Sequence, residues 1–157
     1  MIQVTLPGRD ITLTLHNLLL DLNGTITVDG TLVDGVKERI EFLKGKLAIY
    51  ILTADTLGAG KSAAEELGLE MFKVSGEHGS LDKRDFLHTL GAEKTAAIGN
   101  GYNDAQMLQD AALSIVIIGT EGCNIEALQK SDIAVSSIND ALDLIIKPLR
   151  LVATLRA

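Results

Sequence analysis

The sequence has few cysteines, prolines and aromatic residues, and it contains no long apolar run. Its single cysteine, Cys123, cannot form an internal disulfide, so we expect a reducing, cytoplasmic setting. No apolar run reaches the roughly 18 residues that a membrane helix requires. Residues 1–10 include Pro7, Gly8 and charged side chains where a signal peptide would be apolar. We therefore expect no membrane partner.

Positive charge is also scarce. The chain has 14 Lys and Arg residues against 21 Asp and Glu residues, which gives a net charge of -7. The basic residues are scattered along the sequence and form no stripe. Proteins that bind nucleic acid by its phosphates usually carry a basic patch. Nucleic acid is therefore not an expected partner.

The composition favours a layered α/β domain. Aromatic residues make up 3% of the chain and hydrophobic residues 46%, so the core must be built from Leu, Ile, Val and Ala. A chain of 157 residues suits one domain with a sizeable core. We predict a single domain over residues 1–157, in which residues 1–16 form an N-terminal β-hairpin and residues 148–157 form a C-terminal tail.

Apolar runs that predict strands alternate with segments of helical periodicity. The predicted strands of the main sheet are 17–22, 47–52, 69–74, 95–98, 113–118 and 133–135, and the predicted helices are 36–43, 57–67, 82–90, 105–110, 124–130 and 138–146. This alternation is typical of a doubly wound, Rossmann-like parallel sheet with helices on both faces.

Shorter segments supplement this pattern. Residues 2–6 and 11–15 alternate apolar and polar side chains about a Pro-Gly-Arg-Asp turn, which predicts the N-terminal hairpin. Residues 25–32 alternate about Asp29-Gly30, which predicts a small β-hairpin flap over the turn after Asp21. Pro148 ends the last helix. The apolar tail after it docks either on the body of the domain or on a second subunit, so a homo-oligomer is possible.

Polar residues follow several predicted strands where each strand ends. Because parallel strands present their carboxyl ends at one edge of the sheet, these residues should lie side by side. Lys83 is interpreted as a residue of the first helical turn, where the helix dipole disfavours a cation, so we expect it to reach toward an anion. Asp21 by itself would also suit an ordinary turn. The residues at the predicted edge are Asp21, Asn23, Thr53, Asn100, Asn103 and Asp104.

Four ordered motifs between residues 17 and 146 resemble those of the haloacid dehalogenase superfamily of phosphotransferases. They are Asp-Leu-Asn-Gly-Thr at 21–25, Thr53 at the end of the next strand, Lys83, and Gly-Asn-Gly-Tyr-Asn-Asp at 99–104. Within the superfamily the chain is most similar to the phosphorylation domain of P-type ATPases. No cap domain is expected, because one helix and one strand account for the segment between Thr53 and Lys83.

The resemblance implies a magnesium-dependent mechanism with a phospho-aspartyl intermediate on Asp21. Thr53 and Lys83 would bind the phosphoryl group, helped by the backbone N–H groups of Gly24 and Ala54. Thr25 and Asn103 would support the site. The implied Mg²⁺ ligands are Asp21, the backbone carbonyl of Asn23, Asn100 and Asp104.

Two positions depart from the family pattern. Asn23 stands where a second Asp usually transfers protons, and Asn100 stands where an anionic metal ligand is usual. We expect a phosphatase or phosphotransferase that is slow or restricted to good leaving groups, acting on a phosphorylated small molecule or macromolecule. The alternative is a catalytically weak or inactive protein of the same fold that binds a ligand or partner.

Overall fold

The computed structural model of the protein describes residues 1–55 and 58–157. The predicted start of the second helix at Leu57 lies outside the described residues. The strands are β1 (Ile2–Leu6), β2 (Ile11–Leu15), β3 (Asn17–Asp21), β4 (Thr27–Val28), β5 (Thr31–Leu32), β6 (Ala48–Thr53), β7 (Glu70–Lys73), β8 (Thr95–Gly99), β9 (Leu113–Ile117) and β10 (Ile133–Val135). The helices are α1 (Val36–Lys44), α2 (Ala59–Leu67), α3 (Gly79–Leu90), α4 (Ala105–Asp110), α5 (Ile125–Gln129), α6 (Ile138–Ile146) and α7 (Pro148–Leu155).

A six-stranded parallel sheet forms the centre of the protein, in the order β10-β9-β8-β3-β6-β7. Strand β3 is buried along its whole length, and its side chains alternate between two cores. Leu18 and Leu20 pack on one face with residues of α1, α2 and α6, and Leu19 packs on the other face with residues of α3, α4 and α5. The predicted doubly wound α/β fold is confirmed.

The order of the strands shows where in the sheet a ligand site is expected. Connections run from β3 to β6 and β7 on one side, and through β8 to β9 and β10 on the other. Ligands in such sheets bind where the strand order reverses, outside the carboxyl ends of the strands. Here that point is β3, where Asp21 pairs with Leu52 and Leu20 pairs with Ile98. The residues that follow β6 and β8 are thereby brought next to Asp21.

The two hairpins form as predicted. Strands β1 and β2 pair antiparallel, and their inward side chains join the core on the α1 and α6 face. Strands β4 and β5 form the short flap, and the N–H of Asp29 at its tip donates to Glu121 Oε2 at 3.1 Å. In the described residues, only α2 and β7 lie between β6 and α3, so no cap domain is present there.

The helix that carries Lys83 begins earlier than predicted. Helix α3 starts at Gly79 and not at Asp82, so Lys83 lies in the second turn, and its predicted place in the first turn was wrong. Gly79 and Ser80 are poor helix formers, which hid the true start. Asp82 accepts a hydrogen bond from the Ser75 N–H at 2.7 Å, so its carboxylate stabilises the loop before the helix.

The C-terminal tail is a helix that docks on the body of the domain. Pro148 is the first residue of α7, a position where its missing N–H costs no helical hydrogen bond. Leu151 is fully buried in the core, and the N–H of Ala157 donates to the Pro7 carbonyl at 3.1 Å. None of the helices in the described part of the chain combines the length and apolarity needed to cross a bilayer.

The docking of α7 predicts unequal effects for two leucines two residues apart. Leu151→Ala empties a fully buried site and should lower the free energy of unfolding by about 2–5 kcal/mol. Leu149→Ala is the matched control, since this side chain is 82% exposed and its loss should change stability by less than about 0.5 kcal/mol. Urea denaturation measures both, and equal effects would contradict the docking of the tail.

Candidate active site

Asp21 ends the central strand as a nearly buried carboxylate. It is 7% exposed. Its Oδ1 accepts a hydrogen bond from Lys83 Nζ at 2.6 Å, and its Oδ2 accepts one from Thr25 Oγ1 at 3.2 Å. The strand continues the apolar run of residues 18–20, so the carboxylate is held at the edge of the sheet by a rigid element. A carboxylate held in this way is poised to meet a ligand at the sheet edge.

Lys83 joins two carboxylates inside the protein. Its side chain is fully buried, and Nζ lies 2.6 Å from both Asp21 Oδ1 and Asp104 Oδ1. Helix α3 lies on one face of the sheet and directs this side chain to the carboxyl ends of β3 and β8. The predicted contact of Lys83 with an anion is therefore found, although the anions seen are side chains of the protein itself.

The loop after β8 folds around Asp104. Asp104 Oδ2 accepts hydrogen bonds from the N–H groups of Asn100 and Gly101, each at 2.9 Å. A Cβ added at Gly99 would lie 2.5 Å from the carboxyl carbon of Asp104, so a residue without a side chain is needed there. This explains the glycine at the start of the fourth motif. Asp104 is thus fixed by three donors and fully buried.

One lysine shared by two buried carboxylates leaves the cluster short of positive charge. Burial, together with the negative charge of Asp104, raises the pKa of Asp21 from an ordinary 3.8 to about 6, although Lys83 acts in the opposite direction. Burial acts to lower the pKa of Lys83, but Asp21 and Asp104 outweigh it and hold that pKa above its usual value. Lys83 is therefore a permanent cation, and the carboxylate of Asp21 takes up a proton at a higher pH than an ordinary Asp.

Thr25 links Asp21 to Asn100. Its hydroxyl lies 3.2 Å from Asp21 Oδ2 and 3.1 Å from Asn100 Oδ1. The Asn100 Nδ2 donates to the Gly122 carbonyl at 3.1 Å, which orients Oδ1 toward Thr25. A Cβ at Gly24 would lie 2.5 Å from this Nδ2, so Gly24 allows the turn to approach Asn100 closely.

These oxygens are the candidates for a metal site. Among the described residues, no group of three or more His, Cys, Asp and Glu side chains could hold a metal ion. A metal would therefore need the neutral oxygen of Asn100 beside the carboxylates. All the candidate ligands are oxygen atoms, the ligand type that a hard cation such as Mg²⁺ prefers. The side-chain oxygens of Asp21 and Asn100 lie near each other, since both accept a hydrogen bond from Thr25 Oγ1.

A cleft of about 390 Å³ opens at this edge of the sheet. It brings most of the predicted site residues together, while Lys83 and Asp104 lie behind its wall. Asn23 is exposed to it, whereas Thr53 is almost fully buried. The cleft is lined by Asp21, Asn23, Thr53, Ala54, Asp55, Asn100, Gly101 and Asn103.

Two groups of the site that are proposed to bind phosphate already take part in hydrogen bonds within the protein. The Gly24 N–H, predicted to bind phosphate, donates to the Thr27 carbonyl at 2.9 Å, so a phosphate contact there requires that bond to open. Thr53 Oγ1 accepts the Asp55 N–H at 3.0 Å, which leaves the hydroxyl proton of Thr53 able to donate to a ligand.

Asp55 is a cleft residue that the sequence reasoning did not assign. It follows Thr53 by two positions, as Asn23 follows Asp21, and both pairs occur at the ends of neighbouring strands. That spacing was a signal in the sequence, although Asp55 by itself resembles any polar residue after a strand. A separate depression of about 500 Å³ lies between the flap, α1 and α2, and none of the predicted site residues lines it.

The charge imbalance predicts opposite effects on stability for two members of the cluster. Lys83→Met leaves two buried carboxylates without a cation and should lower the free energy of unfolding by about 3–5 kcal/mol. Asp21→Asn removes one of the carboxylates that compete for Lys83, so this variant should be at least as stable as the wild-type protein at pH 7.

The advantage of Asp21→Asn should depend on pH. A group whose pKa is raised on folding stabilises the protein while it is protonated, and this stabilisation is lost as pH rises from about 3.8 through about 6. The stability of the wild-type protein should therefore fall relative to Asp21→Asn over that interval. Urea denaturation from pH 4 to pH 7 in the presence of EDTA measures the difference, and a constant difference would contradict the raised pKa.

Known proteins resemble this chain in sequence and in fold. An uncharacterized protein of Methanocaldococcus jannaschii is 50% identical over 64 residues, which cover 41% of this chain and 69% of that protein. The cobalt-bound deoxy-D-mannose-octulosonate 8-phosphate phosphatase of Haemophilus influenzae superposes with a TM-score of 0.71 at 16% identity, covering 85% of this chain and 88% of that one.

A second phosphatase shares the fold. The 3-deoxy-D-manno-octulosonate 8-phosphate phosphatase of Moraxella catarrhalis, in complex with magnesium, phosphate and KDO, has a TM-score of 0.65 at 17% identity, covering 85% of this chain and 86% of that one. At this identity the likeness concerns the fold. A sequence model of one hydrolase family, however, matches residues 4–112, which include the first three motifs and the whole of the fourth. On this match, the chain belongs to the haloacid dehalogenase-like hydrolases.

Proposed function

We propose that this protein is a phosphatase or phosphotransferase that carries the phosphoryl group on Asp21. The main support for this proposal is the nearly buried carboxylate of Asp21, which lines a cleft together with Thr53. Lys83 Nζ lies 2.6 Å from Asp21 Oδ1 and holds it in place. An Asp21 oxygen attacks phosphorus, and the bond to the leaving group breaks. Water then attacks the same phosphorus, and the bond to Asp21 breaks to release phosphate.

The residues around Asp21 are suited to stabilise the negative charge of a phosphoryl group. Lys83 remains a cation throughout, and it is already oriented by Asp104, so no reorganisation is needed when a phosphate enters. The Thr53 hydroxyl and the N–H of Ala54 are proposed to bind phosphoryl oxygens at the cleft wall. Phosphoryl transfer depends mainly on such positioning and charge stabilisation.

A divalent metal, with Mg²⁺ as the expected ion, is proposed as the cofactor. Two related folds were solved with cobalt or with magnesium bound. In this chain the ion would be held by Asp21, the Asn23 carbonyl and Asn100, and Asp104 would join them by giving up one of its three hydrogen bonds. The bound ion would neutralise phosphate charge. Asn100 contributes no charge, so metal binding should be weaker than with a carboxylate at that position.

Asn23 restricts the chemistry that is proposed. An amide side chain forms hydrogen bonds but cannot protonate a leaving group. We therefore expect acyl phosphates and phosphoanhydrides, whose leaving groups need no proton, to react faster than alkyl phosphates. The cleft has no cap domain over it in the described residues, so a phosphorylated small molecule or macromolecule can enter. The nearer resemblance to P-type ATPases and a homo-oligomeric state remain predictions.

Turnover of acetyl phosphate tests the proposed function. The wild-type protein with Mg²⁺ should release phosphate, and Asp21→Asn should abolish this release because an amide cannot act as the nucleophile. Asp82→Asn is the matched control, since this carboxylate stabilises the loop before α3 and does not line the cleft. Malachite-green detection of phosphate measures the rates, with p-nitrophenyl phosphate and ATP as further substrates. Equal rates for wild-type protein and Asp21→Asn would exclude the mechanism.

The alternative of an inactive binding protein has its own support in Asn23 and Asn100. Beryllium fluoride separates the two functions, since a Mg²⁺-dependent adduct on Asp21 requires a competent nucleophile. If wild-type protein forms no adduct and releases no phosphate, the binding function is favoured.

Asn23→Asp should restore proton transfer to the leaving group. We expect turnover of alkyl phosphates to rise by about 10²-fold or more, while turnover of acetyl phosphate changes little, because general acid catalysis is worth roughly 10²–10⁴ in rate. Asn103→Asp is the control for added charge at the cleft, since it also lines the cleft but follows a different strand. A similar rise with both substrates, or with both variants, would contradict the role assigned to position 23.

A further inference from the structure

The proposed mechanism lacks a group that removes a proton from water. Hydrolysis of phosphorylated Asp21 requires an attacking water to lose a proton, and Asn23 cannot accept it. Asp21 carries the phosphoryl group at this stage, and Asp104 is fully buried with three donors around its carboxylate. A different base must therefore act, or hydrolysis must be slow.

Asp55 has the chemistry that is missing. Among the described residues that line the cleft, the carboxylates are Asp21 and Asp55, and the remaining side chains are amides, the hydroxyl of Thr53 or no polar group at all. Neutral amides and alcohols do not accept a proton near neutral pH. Asp55 is therefore the described lining residue that can act as a base once Asp21 is phosphorylated.

The backbone of Asp55 is fixed at the cleft from two sides. Its N–H donates to Thr53 Oγ1 at 3.0 Å, which ties it to the residue proposed to bind phosphate. Its carbonyl oxygen is packed against the first turn of α2, because a Cβ added at Gly60 would lie 2.6 Å from that oxygen. Strand β6 pairs with β3, so Asp55 follows a strand whose Leu52 is directly opposite Asp21.

The exposure of Asp55 places this residue next to solvent water. Asp55 is exposed to solvent, whereas Asp21 and Asp104 are buried. An exposed carboxylate can accept a hydrogen bond from a water molecule of the solvent. Solvent also supplies the attacking water and takes up the proton afterwards. Asn23 and Asn100 are neutral, so the cleft that contains Asp55 carries less negative charge than it would with carboxylates at positions 23 and 100.

We propose that Asp55 is the general base that hydrolyses the phospho-aspartyl intermediate. The oxygen of a water bound at Asp55 forms a bond to phosphorus while its proton moves to the Asp55 carboxylate. The bond between phosphorus and Asp21 breaks, and its electrons return to the Asp21 carboxylate. Inorganic phosphate leaves, and Asp55 releases the proton to solvent. This proposal rests on the proposed function of Asp21 and assigns the second half of that reaction.

A pulse and chase of the labelled enzyme tests the role of Asp55. The full chain with Mg²⁺ is labelled with ³²P-acetyl phosphate and chased with unlabelled substrate, so that formation and decay of the label are measured separately. Asp55→Asn should slow decay by about 10²-fold or more while formation changes by less than about threefold, because the base acts after the leaving group has departed. Asp55→Glu keeps a carboxylate and should recover part of the decay rate.

Two further variants serve as controls. Glu65→Gln removes an exposed carboxylate from α2 that does not line the cleft, and both rates should stay as in the wild-type protein. Asn23→Asp in the Asp55→Asn background supplies another carboxylate at the cleft and should restore decay. Restoration also shows that Asp55→Asn is folded and able to form the intermediate.

The outcomes distinguish this proposal from the proposed function. Unchanged decay in Asp55→Asn, or an equal loss of formation and decay, overturns the role of Asp55 while the nucleophile Asp21 stands. Absence of label on the wild-type protein under these conditions overturns the proposed function and the role of Asp55 with it.

Discussion

The structure of the site depends on one buried cation shared by two carboxylates. Lys83 Nζ lies 2.6 Å from both Asp21 and Asp104, and it joins the central strand, a helix on one face of the sheet and the loop after β8. Removing three charges from water is costly, and only short, well-oriented hydrogen bonds offset that cost. This constraint explains the glycine before Asp104, the two backbone N–H groups aimed at its second oxygen, and the raised pKa of Asp21.

The same constraint relates stability to chemistry. A nucleophilic carboxylate must be held in place and still reach its substrate, and Asp21 is the carboxylate of the pair that meets both conditions. Both carboxylates accept a hydrogen bond from Lys83, but Asp104 is fully buried, whereas Asp21 is 7% exposed and lines the cleft. Two buried carboxylates that share one cation lower the stability of the protein, and the rest of the fold must offset that cost. Here the offset comes from the large apolar cores on both faces of the sheet.

The neutral residues Asn23 and Asn100 give the cleft its individual character. Both side chains keep the shape of a carboxylate and one of its two oxygen atoms, but they lose the charge and the ability to transfer protons. Asn100 is held by Thr25 and the Gly122 carbonyl, so its amide has a defined structural role beside any role in metal binding. Asn23 is exposed at the cleft, and its neutral side chain does not repel the negative charge of a phosphate or of Asp55.

The sequence by itself determined the fold class, the order of the strands and helices, and the residues that meet at one edge of the sheet. Continuous apolar runs that alternate with helical segments indicate buried strands of a parallel sheet. The carboxyl ends of parallel strands lie at one edge of the sheet, regardless of which side chains they carry. The start of α3, the docking of the tail as a helix and the place of Asp55 in the cleft were decided by tertiary structure. These features depend on packing and on hydrogen bonds that the periodicity of a single helix or strand does not predict. Asp82 accepts from Ser75 in the loop before α3, and Ala157 donates to Pro7 at the other end of the chain. The charge balance around Lys83 was likewise beyond the sequence, because it requires knowing that two carboxylates 83 positions apart are buried within reach of a single cation.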